Sequence, residues 1–262
     1  MPKHCRALTY SWPVPDSELP AQQPHGLDEG PWREPDPTVC IVIPMYNEGA
    51  VVGSVVSNIR RQFPHVVCVD DGSRDNSASE AEAAGAIVVQ HAINLGQGAG
   101  LQTGIQVALL DPLTEYVVTF DADGQHRVAD AVRLVEAARE HKLDVVLGSR
   151  FLEAGFSVPR SRRMVLRAAV AFTRLTTGLS VTDTHNGLRV FSRDAASTVR
   201  ITHAGMAHAS EILHEVARHG LSYAELPVQI DYTEYSRAKG QSNLNAVNIL
   251  HDLVSARIRS AR

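Results

Sequence analysis

Predicted strands and helices alternate along this chain from Val39 to Gly148, and this order constrains the fold more than any other feature of the sequence. Short apolar, β-branched runs are separated by segments in which apolar residues recur with helical spacing. Because parallel strands must be joined by crossover connections, the alternation predicts a mostly parallel sheet with helices on both faces. The sequence therefore predicts an α/β fold whose ligands bind at the carboxyl ends of the strands.

The predicted elements can be given residue by residue. The strands in this region are Val39–Ile43, Val66–Val69, Ala86–Gln90, Tyr116–Phe120 and Asp144–Gly148. The helices between them are Ala50–Arg61, Ser77–Ala84, Gly98–Leu110 and Val128–His141. Beyond Gly148 the pattern is less regular and predicts a loop at Glu153–Arg163, a helix at Met164–Thr177, a strand at Gly187–Phe191, a helix at His208–His219 and a strand at Ala224–Ile230 that Pro227 interrupts.

Composition divides the chain into three parts. Residues 1–37 contain eight of the 13 prolines and both tryptophans, which indicates an extended or disordered arm. Residues 38–242 form the predicted α/β domain. Residues 243–262 predict an amphipathic helix, which either packs on the domain or docks on a bilayer or a membrane partner.

Charge and cysteine content exclude several classes of protein. A net charge of -4 gives no global basic field, so we expect no nucleic-acid partner. No segment approaches the roughly 18 consecutive apolar residues of a membrane span. The three cysteines are widely spaced and form no C-x-x-C pair, which predicts a cytoplasmic protein. The segment 155–175 contains five arginines and no acidic residue. It indicates either contact with an anionic surface or a solvated helix face. The arginines are Arg160, Arg162, Arg163, Arg167 and Arg174.

Polar residues follow each of the five predicted parallel strands. The clusters are Pro44–Glu48, Asp70–Ser73, Asn94–Gly100, Asp121–His126 and Gly148–Arg150. Because the carboxyl ends of parallel strands share one edge of a sheet, we expect these clusters to form one composite pocket. Glycines at 96, 98 and 100 let a ligand approach the backbone, and the start of the next helix favours anions.

Asp121 and Asp123 indicate a site for a divalent cation. Two carboxylates separated by one residue can both turn toward one ion where the chain bends after a buried strand. Mg²⁺ and Mn²⁺ prefer oxygen ligands and often share their coordination shell with substrate phosphates. The pair therefore suggests a metal-bridged diphosphate site, although the same residues also suit a simple polar turn.

Three familiar motifs are absent. The glycine cluster does not fit G-x-G-x-x-G because Leu101 takes the last position, and no acidic residue is placed to bind the ribose of NAD. The cluster also lacks the G-x-x-x-x-G-K-[ST] pattern of a P-loop NTPase. His214 and His219 are five residues apart and face different sides of a helix, which argues against zinc. The histidines from His203 to His219 are then surface or supporting residues.

Taken in order, the polar clusters resemble those of family 2 glycosyltransferases with the GT-A fold. The matching segments are Val42–Glu48, Val69–Ser73, Asn94–Gly98, Asp121–His126, Gly148–Phe151, Asp183–Phe191 and Glu225–Val228. The D-A-D-x-Q-H form is most similar to the dolichyl- and polyprenyl-phosphate glycosyltransferases, and the likeness extends over residues 38–242.

The resemblance implies roles for individual residues. Asp121, Asp123 and Gln125 would coordinate Mg²⁺ or Mn²⁺. The nucleotide-sugar donor would contact Pro44, Tyr46, Glu48, Asp70, Asp71, Asn94, Gly96, Gly98, Asp121 and Ala122. The acceptor phosphate would contact Arg150, Arg163, Lys239 and Ser242, and catalysis would depend on Asp123, Arg150 and Arg237. Gln97 and Asn243 depart from the family, which often has lysine at both positions.

The resemblance also implies a reaction. A UDP- or GDP-linked sugar would pass, with inversion, to a polyprenyl phosphate at the cytoplasmic face of the membrane. The enzyme would be peripheral, in contact with the membrane surface or a small membrane partner protein. An acceptor phosphate is already anionic and needs no general base.

Other functions remain open at this point. A related transferase that acts on a carbohydrate or small-molecule hydroxyl would need a base, for which Glu211 is the candidate. A non-catalytic nucleotide-sugar-binding protein is a further alternative. A nucleotidyltransferase is disfavoured because Pro44–Gly49 contains no basic, glycine-rich loop.

Overall fold

A computed structural model describes residues 34–152, 174, 177–205 and 207–231 of the chain. Its strands are β1 (Val39–Met45), β2 (His65–Asp70), β3 (Ile87–Gln90), β4 (Tyr116–Thr119), β5 (Val145–Ser149), β6 (Arg189–Ser192) and β7 (Tyr223–Pro227). Its helices are α1 (Val52–Arg60), α2 (Ser77–Ala83), α3 (Gln97–Ala108), α4 (Val128–Glu140), α5 (Arg193–Thr198) and α6 (His208–His219).

The strands form one mixed sheet in the order β3-β2-β1-β4-β6-β5-β7. Strand β1 pairs in parallel with β2 and β4, and β2 pairs in parallel with β3. Strand β6 is antiparallel to both of its neighbours, β4 and β5. Strand β5 therefore runs in the same direction as β4, and β7 is parallel to β5. The predicted mostly parallel α/β fold is confirmed, and the five polar clusters lie at one edge.

Strand β1 is buried on both faces, which explains its continuous apolar sequence. Ile41 and Ile43 face the core beneath α1 and α4. Cys40 and Val42 face the opposite core beneath α3 and α6. Because successive side chains of a strand point to opposite faces, one short segment joins the two cores.

Helix α3 approaches β1 closely because position 104 is glycine. A Cβ atom at Gly104 would lie 2.3 Å from Cγ1 of Val42. Leu101 and Ile105 flank this glycine and are buried in the same core. The close packing fixes the amino end of α3, and with it the preceding glycine cluster, relative to the sheet.

The structure differs from the predicted elements at most of their ends, by one or a few residues, and in one additional helix. Strand β1 continues past Ile43 to Met45, and β7 ends at Pro227, a residue that an edge strand can accommodate. Helix α5 was not predicted, because its six residues are too few for a periodic pattern. The guanidinium of Arg193 holds this helix by donating to carbonyl oxygens of the α3–β4 connection.

Several predictions fall outside the described residues. They include most of the N-terminal arm, the Glu153–Arg163 loop, nearly all of the Met164–Thr177 helix and the C-terminal helix at 243–262. The three-part division of the chain therefore stays a prediction. Within the described part of the chain, none of the helices has both the length and the apolar character that a bilayer crossing requires.

Replacing Gly104 with alanine should lower the free energy of unfolding by about 1–3 kcal/mol, because the new methyl group would overpack the contact with Val42. The matched control is Gly53→Ala on α1, where the nearest atoms lie 3.5 Å from the added carbon. That variant should be as stable as the wild type or gain up to about 1 kcal/mol from helix propensity. Urea unfolding measures both changes. Equal stability of Gly104→Ala and the wild type would contradict the close packing of α3 on β1.

Candidate active site

A cavity of about 470 Å³ opens at the carboxyl edge of the parallel strands. One side of it is formed by residues at the ends of β1 and β4, in the segments after β1, β2, β3 and β4, and in the first turns of α3. The opposite side, here called the second wall, consists of lining residues between 185 and 189, before and at the start of β6, and between 208 and 212 on α6. The cavity therefore lies where the topology predicts a ligand site.

Four of the five polar clusters meet at this cavity. The predicted site residues that line it are Pro44, Tyr46, Glu48, Asp71, Asn94, Gly96, Asp121, Ala122 and Asp123. Four other predicted site residues, Asp70, Gly98, Gln125 and Arg150, are not among its lining residues. Arg163, Arg237, Lys239 and Ser242 lie outside the described residues.

Asp121 lines the cavity, two residues after the end of β4 at Thr119. Its Oδ2 is 2.9 Å from Nε2 of His126, and its Oδ1 accepts a hydrogen bond of 3.3 Å from Nε2 of Gln97. Desolvation acts to raise the pKa of Asp121, but the hydrogen bond from His126 and the nearby His208 and Arg189 lower it below its ordinary value. Asp121 is therefore ionised at neutral pH and available as an anionic ligand.

Asp123 carries a neighbouring and less favourable negative charge. Desolvation and the charge of Asp121 raise the pKa of Asp123 to about 6, and Glu48 adds to the effect. One carboxylate oxygen of Asp123 accepts a 3.0 Å hydrogen bond from the backbone N–H of Gln125. A divalent cation would neutralise this local excess of negative charge, so the two carboxylates fit a bound metal ion.

The protein supplies only part of a coordination shell at this place. In residues 34–152 and the other described segments, no group of three or more His, Cys, Asp or Glu side chains is placed to hold a metal ion. Mg²⁺ and related ions are commonly bound by one or two carboxylates together with substrate phosphates and water. The Asp121–Asp123 pair matches that arrangement, and a role for Gln125 as a metal ligand stays a prediction.

Gly187 leaves the space that the Asp121 carboxylate occupies. A Cβ atom at position 187 would lie 2.3 Å from Oδ2 of Asp121. The carbonyl oxygen of Gly187 also accepts a 2.6 Å hydrogen bond from the hydroxyl of Thr119 on β4. The second wall is therefore joined directly to the strand that carries the carboxylate pair.

Asp71 holds the glycine loop, defined as Asn94–Gly98, in its conformation. Its carboxylate accepts hydrogen bonds from the backbone N–H groups of Leu95 at 2.8 Å and Gly96 at 2.6 Å. Gly96 has a φ of 95°, and a Cβ there would lie 2.4 Å from the carbonyl oxygen of Ala204. Only glycine suits this position. Asp71 thus lines the cavity and also determines the shape of its boundary.

Asp70 and Gly98 act behind the cavity surface. The carboxylate of Asp70 accepts a 3.1 Å hydrogen bond from the backbone N–H of Ser73. The N–H of Gly98 donates to the carbonyl oxygen of Ala204 at 3.0 Å. In the structure both residues hold loops in place, and their predicted contacts with the donor stay predictions.

The loop after β1 is fastened to the loop after β2. Asn47 adopts a left-handed conformation with a φ of 55°, and its N–H donates to the hydroxyl of Ser73 at 2.9 Å. The N–H of Glu48 donates to the hydroxyl of Ser77 at 2.8 Å. These bonds hold Tyr46 and Glu48 at the cavity before any ligand is present.

The second wall contains polar residues to which the sequence analysis gave no role. His185, Asn186 and Arg189 line the cavity. Burial lowers the pKa of His185 to about 4 and that of Arg189 to about 10. The guanidinium of buried Arg189 donates to the carbonyl oxygens of Asn186 at 3.0 Å and Thr184 at 3.1 Å. The segment Asp183–Phe191 is part of the family resemblance, but its sequence pattern does not indicate which of its side chains face the cavity.

His208 differs from the prediction made for the histidines of its region. It is buried and lines the cavity, and its Nδ1 lies 2.9 Å from the carbonyl oxygen of Gly205. Burial lowers the pKa of His208 below the ordinary value. No spacing rule separates His208 from the surface histidines of the same helix, since only the packing of α6 brings its first turn to the site.

Arg150 is paired with a buried carboxylate. Its Nε and Nη2 lie 2.7 Å and 2.9 Å from the two carboxylate oxygens of Asp183. Desolvation acts to raise the pKa of Asp183, and the hydrogen bond and charge of Arg150 lower it overall. Glu225 on β7 accepts hydrogen bonds from the N–H groups of Thr182 and Asp183. These bonds hold the chain at 182–183, and with it the partner of Arg150, against β7.

Glu211 is engaged away from the cavity. Its carboxylate accepts hydrogen bonds from the backbone N–H groups of Thr202 at 3.0 Å and His203 at 2.9 Å. Desolvation acts to raise the pKa of Glu211, and hydrogen bonds from the Thr202 hydroxyl, from His203 and from the 202–203 backbone lower it below the ordinary value. Glu211 is not among the cavity-lining residues, so the geometry does not support it as a general base.

Glu225 should give the protein a measurable dependence of stability on pH. Burial raises its folded-state pKa from 4.5 to about 7. Between these values the unfolded chain releases a proton that the folded chain retains, so the free energy of unfolding falls as pH rises. Subtracting the unfolding free energy of Glu225→Gln from that of the wild type should give a curve that falls by on the order of 2–3 kcal/mol from pH 4.5 to 7. Chemical denaturation across this range tests it, and a flat or rising difference would contradict the assignment.

Comparison with known proteins gives the same fold and a family. Residues 40–200 match the family model described as glycosyl transferase family 2. An uncharacterized protein of Methanocaldococcus jannaschii is 33% identical over 225 residues, which is 84% of this chain and 92% of that protein. The UDP-N-acetylglucosamine--dolichyl-phosphate N-acetylglucosaminyltransferase of Methanococcus voltae is 28% identical over 84% of this chain and 96% of its own.

A solved structure confirms the architecture. Glucosyl-3-phosphoglycerate synthase from Mycobacterium tuberculosis, crystallised with Mn²⁺, UDP and phosphoglyceric acid, aligns with a TM-score of 0.61 at 19% sequence identity. The alignment covers 84% of this chain and 78% of the synthase. The sheet, the position of the cavity and the family match lead to one conclusion: this chain belongs to glycosyl transferase family 2, has the GT-A fold and is a glycosyltransferase.

Proposed function

We propose that this enzyme transfers a sugar, with inversion, from a nucleoside diphosphate donor to a polyprenyl phosphate and that it uses Mg²⁺ or Mn²⁺. The observation that carries the proposal is the placement of Asp121 and Asp123 in one cavity with the glycine loop. The dolichyl-phosphate enzyme of Methanococcus voltae supports the lipid acceptor, and the mycobacterial synthase with Mn²⁺ and UDP supports the metal and the diphosphate.

The two sides of the cavity suggest where the parts of the donor bind. We place the nucleoside beside Tyr46 and Glu48, where the fastened loops form a fixed boundary, and the diphosphate beside Asp121 and Asp123. The sugar then lies toward the second wall. The residues that present polar groups there are His185, Asn186 and His208. The base is that of a UDP- or GDP-linked sugar.

The chemistry depends on charge at the leaving diphosphate. A bound divalent cation neutralises the negative charge that develops as the sugar C1–O bond breaks. Asp121 and Asp123 would hold that ion, and the amide of Gln97 orients Asp121. Burial lowers the pKa of His185 to about 4, so its imidazole is neutral and would offer hydrogen bonds without adding charge.

The state of Glu211 favours a phosphate acceptor over a hydroxyl acceptor. A phosphate is a ready nucleophile at neutral pH and needs positioning rather than deprotonation. Glu211 is occupied by the backbone of Thr202 and His203 and is absent from the cavity lining. Attack by a phosphate oxygen on the face opposite the departing diphosphate inverts the anomeric carbon.

We assign the acceptor phosphate to the basic residues at the same edge of the sheet. Arg150 follows β5, and Asp183 holds its guanidinium in a fixed orientation. Arg163, Lys239 and Ser242, which lie outside the described residues, complete the proposed acceptor set. Arg237, also outside them, is assigned to catalysis, where it would donate charge-assisted hydrogen bonds to phosphate oxygens. Because the phosphate of a polyprenyl lipid lies at the membrane surface, we propose a peripheral enzyme at the cytoplasmic face, with or without a small membrane partner protein.

The decisive experiment supplies UDP- and GDP-linked sugars to the purified enzyme with a short-chain polyprenyl phosphate. Product should form with at least one donor when Mg²⁺ or Mn²⁺ is present, and chelator should abolish it. The double variant Asp121→Asn, Asp123→Asn should lose at least roughly 100-fold in turnover, because the cation loses both anionic ligands. An active double variant in chelator would overturn the metal-dependent mechanism.

Glu211→Gln is the matched carboxylate-to-amide change for this experiment. It should retain turnover within about threefold of the wild type, because one amide oxygen still accepts from the 202–203 backbone. A loss as large as that of the double variant would instead favour a hydroxyl acceptor deprotonated by Glu211. The donor KM and the melting temperature, measured in parallel, identify a loss caused by a loosened 202–203 backbone, so a fall in kcat alone separates the two acceptor classes.

Gly187→Ala tests the geometry of the carboxylate pair. The added carbon would lie 2.3 Å from Oδ2 of Asp121 and would displace the carboxylate. We expect turnover to fall by roughly 10- to 100-fold, because small displacements of catalytic groups are costly. The melting temperature should change little, since the nearest conflict is with the end of a side chain. Unchanged turnover would show that the exact position of Asp121 does not limit the reaction.

A further inference from the structure

His91 bridges three elements behind the glycine loop. It directly follows β3, and its backbone N–H donates to the carbonyl oxygen of Asp70 at 2.9 Å. Its Nδ1 lies 2.8 Å from Oδ1 of Asp71, and its Nε2 lies 3.0 Å from the hydroxyl of Thr103 on α3. Both ring nitrogens of His91 are therefore engaged, and only 10% of its side chain is exposed.

The bond from His91 determines how Asp71 faces the loop. A carboxylate can only accept, so Nδ1 of His91 is the donor in this pair. Oδ1 of Asp71 also accepts from the N–H of Leu95, and Oδ2 accepts from the N–H of Gly96. The three donors together fix the carboxylate in one orientation, because rotation of Asp71 would break the bonds to both backbone groups.

The glycine loop connects Asp71 to the carboxylate pair. Gly96 is followed by Gln97, whose side-chain amide donates to Oδ1 of Asp121 at 3.3 Å. Asn94, Gly96 and Gln97 also line the cavity. His91 itself is absent from the lining, so it can affect a ligand only through the residues that it holds.

We propose that His91 is a positioning residue for the nucleotide-sugar donor, because it orients Asp71 and thereby fixes the glycine loop that bounds the donor site. The inference rests on the proposed function, in that the cavity must bind a nucleoside diphosphate. It assigns to His91 an effect on donor affinity that a role in packing alone would not produce.

The test measures the binding of UDP and GDP, each with Mn²⁺, by titration calorimetry, together with KM and kcat for the donor. His91→Leu removes both bonds and should weaken binding of the nucleotide, and raise the donor KM, by about tenfold. His91→Asn keeps an N–H donor near the position of Nδ1 and should restore affinity to within about threefold of the wild type. Thr103→Val removes only the second bond and should have an effect between these two.

His65→Leu provides a matched control. His65 begins β2 at the opposite edge of the sheet and is not part of the cavity. Melting temperatures of all variants are measured in parallel. The control should leave nucleotide affinity at the wild-type value whatever it does to stability, so it separates a general loss of folding from an effect on the loop.

The outcomes distinguish this inference from the proposed function. If His91→Leu binds UDP or GDP as tightly as the wild type does, the role of His91 alone is overturned. This holds whether or not the melting temperature of the variant is lower. If His91→Leu does not fold, two results together would overturn the role of His91 equally. Thr103→Val would bind the nucleotide with wild-type affinity, and the affinity of His91→Asn would not return to within about threefold of the wild type. A wild-type protein that binds neither nucleotide would overturn the proposed function and this inference together.

Discussion

The arrangement of the site depends on two negative charges that lie close together after one strand. Asp121 and Asp123 share a partly desolvated space, and the pKa of Asp123 rises to about 6 as a result. Within the part of the chain that the structure describes, no ion pair at Asp123 offsets this excess. The chain places His126 and buried Arg189 around Asp121 instead, which keeps one carboxylate ionised. The remaining negative charge would attract a divalent cation, and the bound cation would in turn attract a diphosphate.

Much of this arrangement follows from the sequence because it depends on topology. Once strands and helices alternate, parallel strands place their carboxyl ends on one edge, and the residues just after those strands must meet. Topology alone therefore predicts that Pro44, Asp71, Gly96 and Asp121 lie at one pocket, and the structure has them there. Burial on both faces of β1 was likewise visible in its continuous apolar run.

The rest of the site depends on choices between partners that a linear pattern does not contain. Asp70 and Asp71 are neighbours of the same type, yet only Asp71 lines the cavity, because side chains alternate along the end of β2. His208 is one of several histidines in its region, and the docking of α6 selects it. Arg150 pairs with Asp183 because antiparallel β6, which lies between β4 and β5, brings the 183–189 segment back to the same edge.

The position of Glu211 shows how a carboxylate can matter to a transferase without moving a proton. Its carboxylate accepts hydrogen bonds from the backbone N–H groups of Thr202 and His203, and the glycine loop packs against the carbonyl groups of His203 and Ala204. A Cβ at Gly98 would lie 2.0 Å from the carbonyl oxygen of His203, and the N–H of Gly98 donates to Ala204. Glu211 therefore supports the backbone against which the glycine loop packs, and Asp71 bonds the loop directly. Because both supports consist of bonds formed before the donor arrives, little of the donor's binding energy is needed to order the loop.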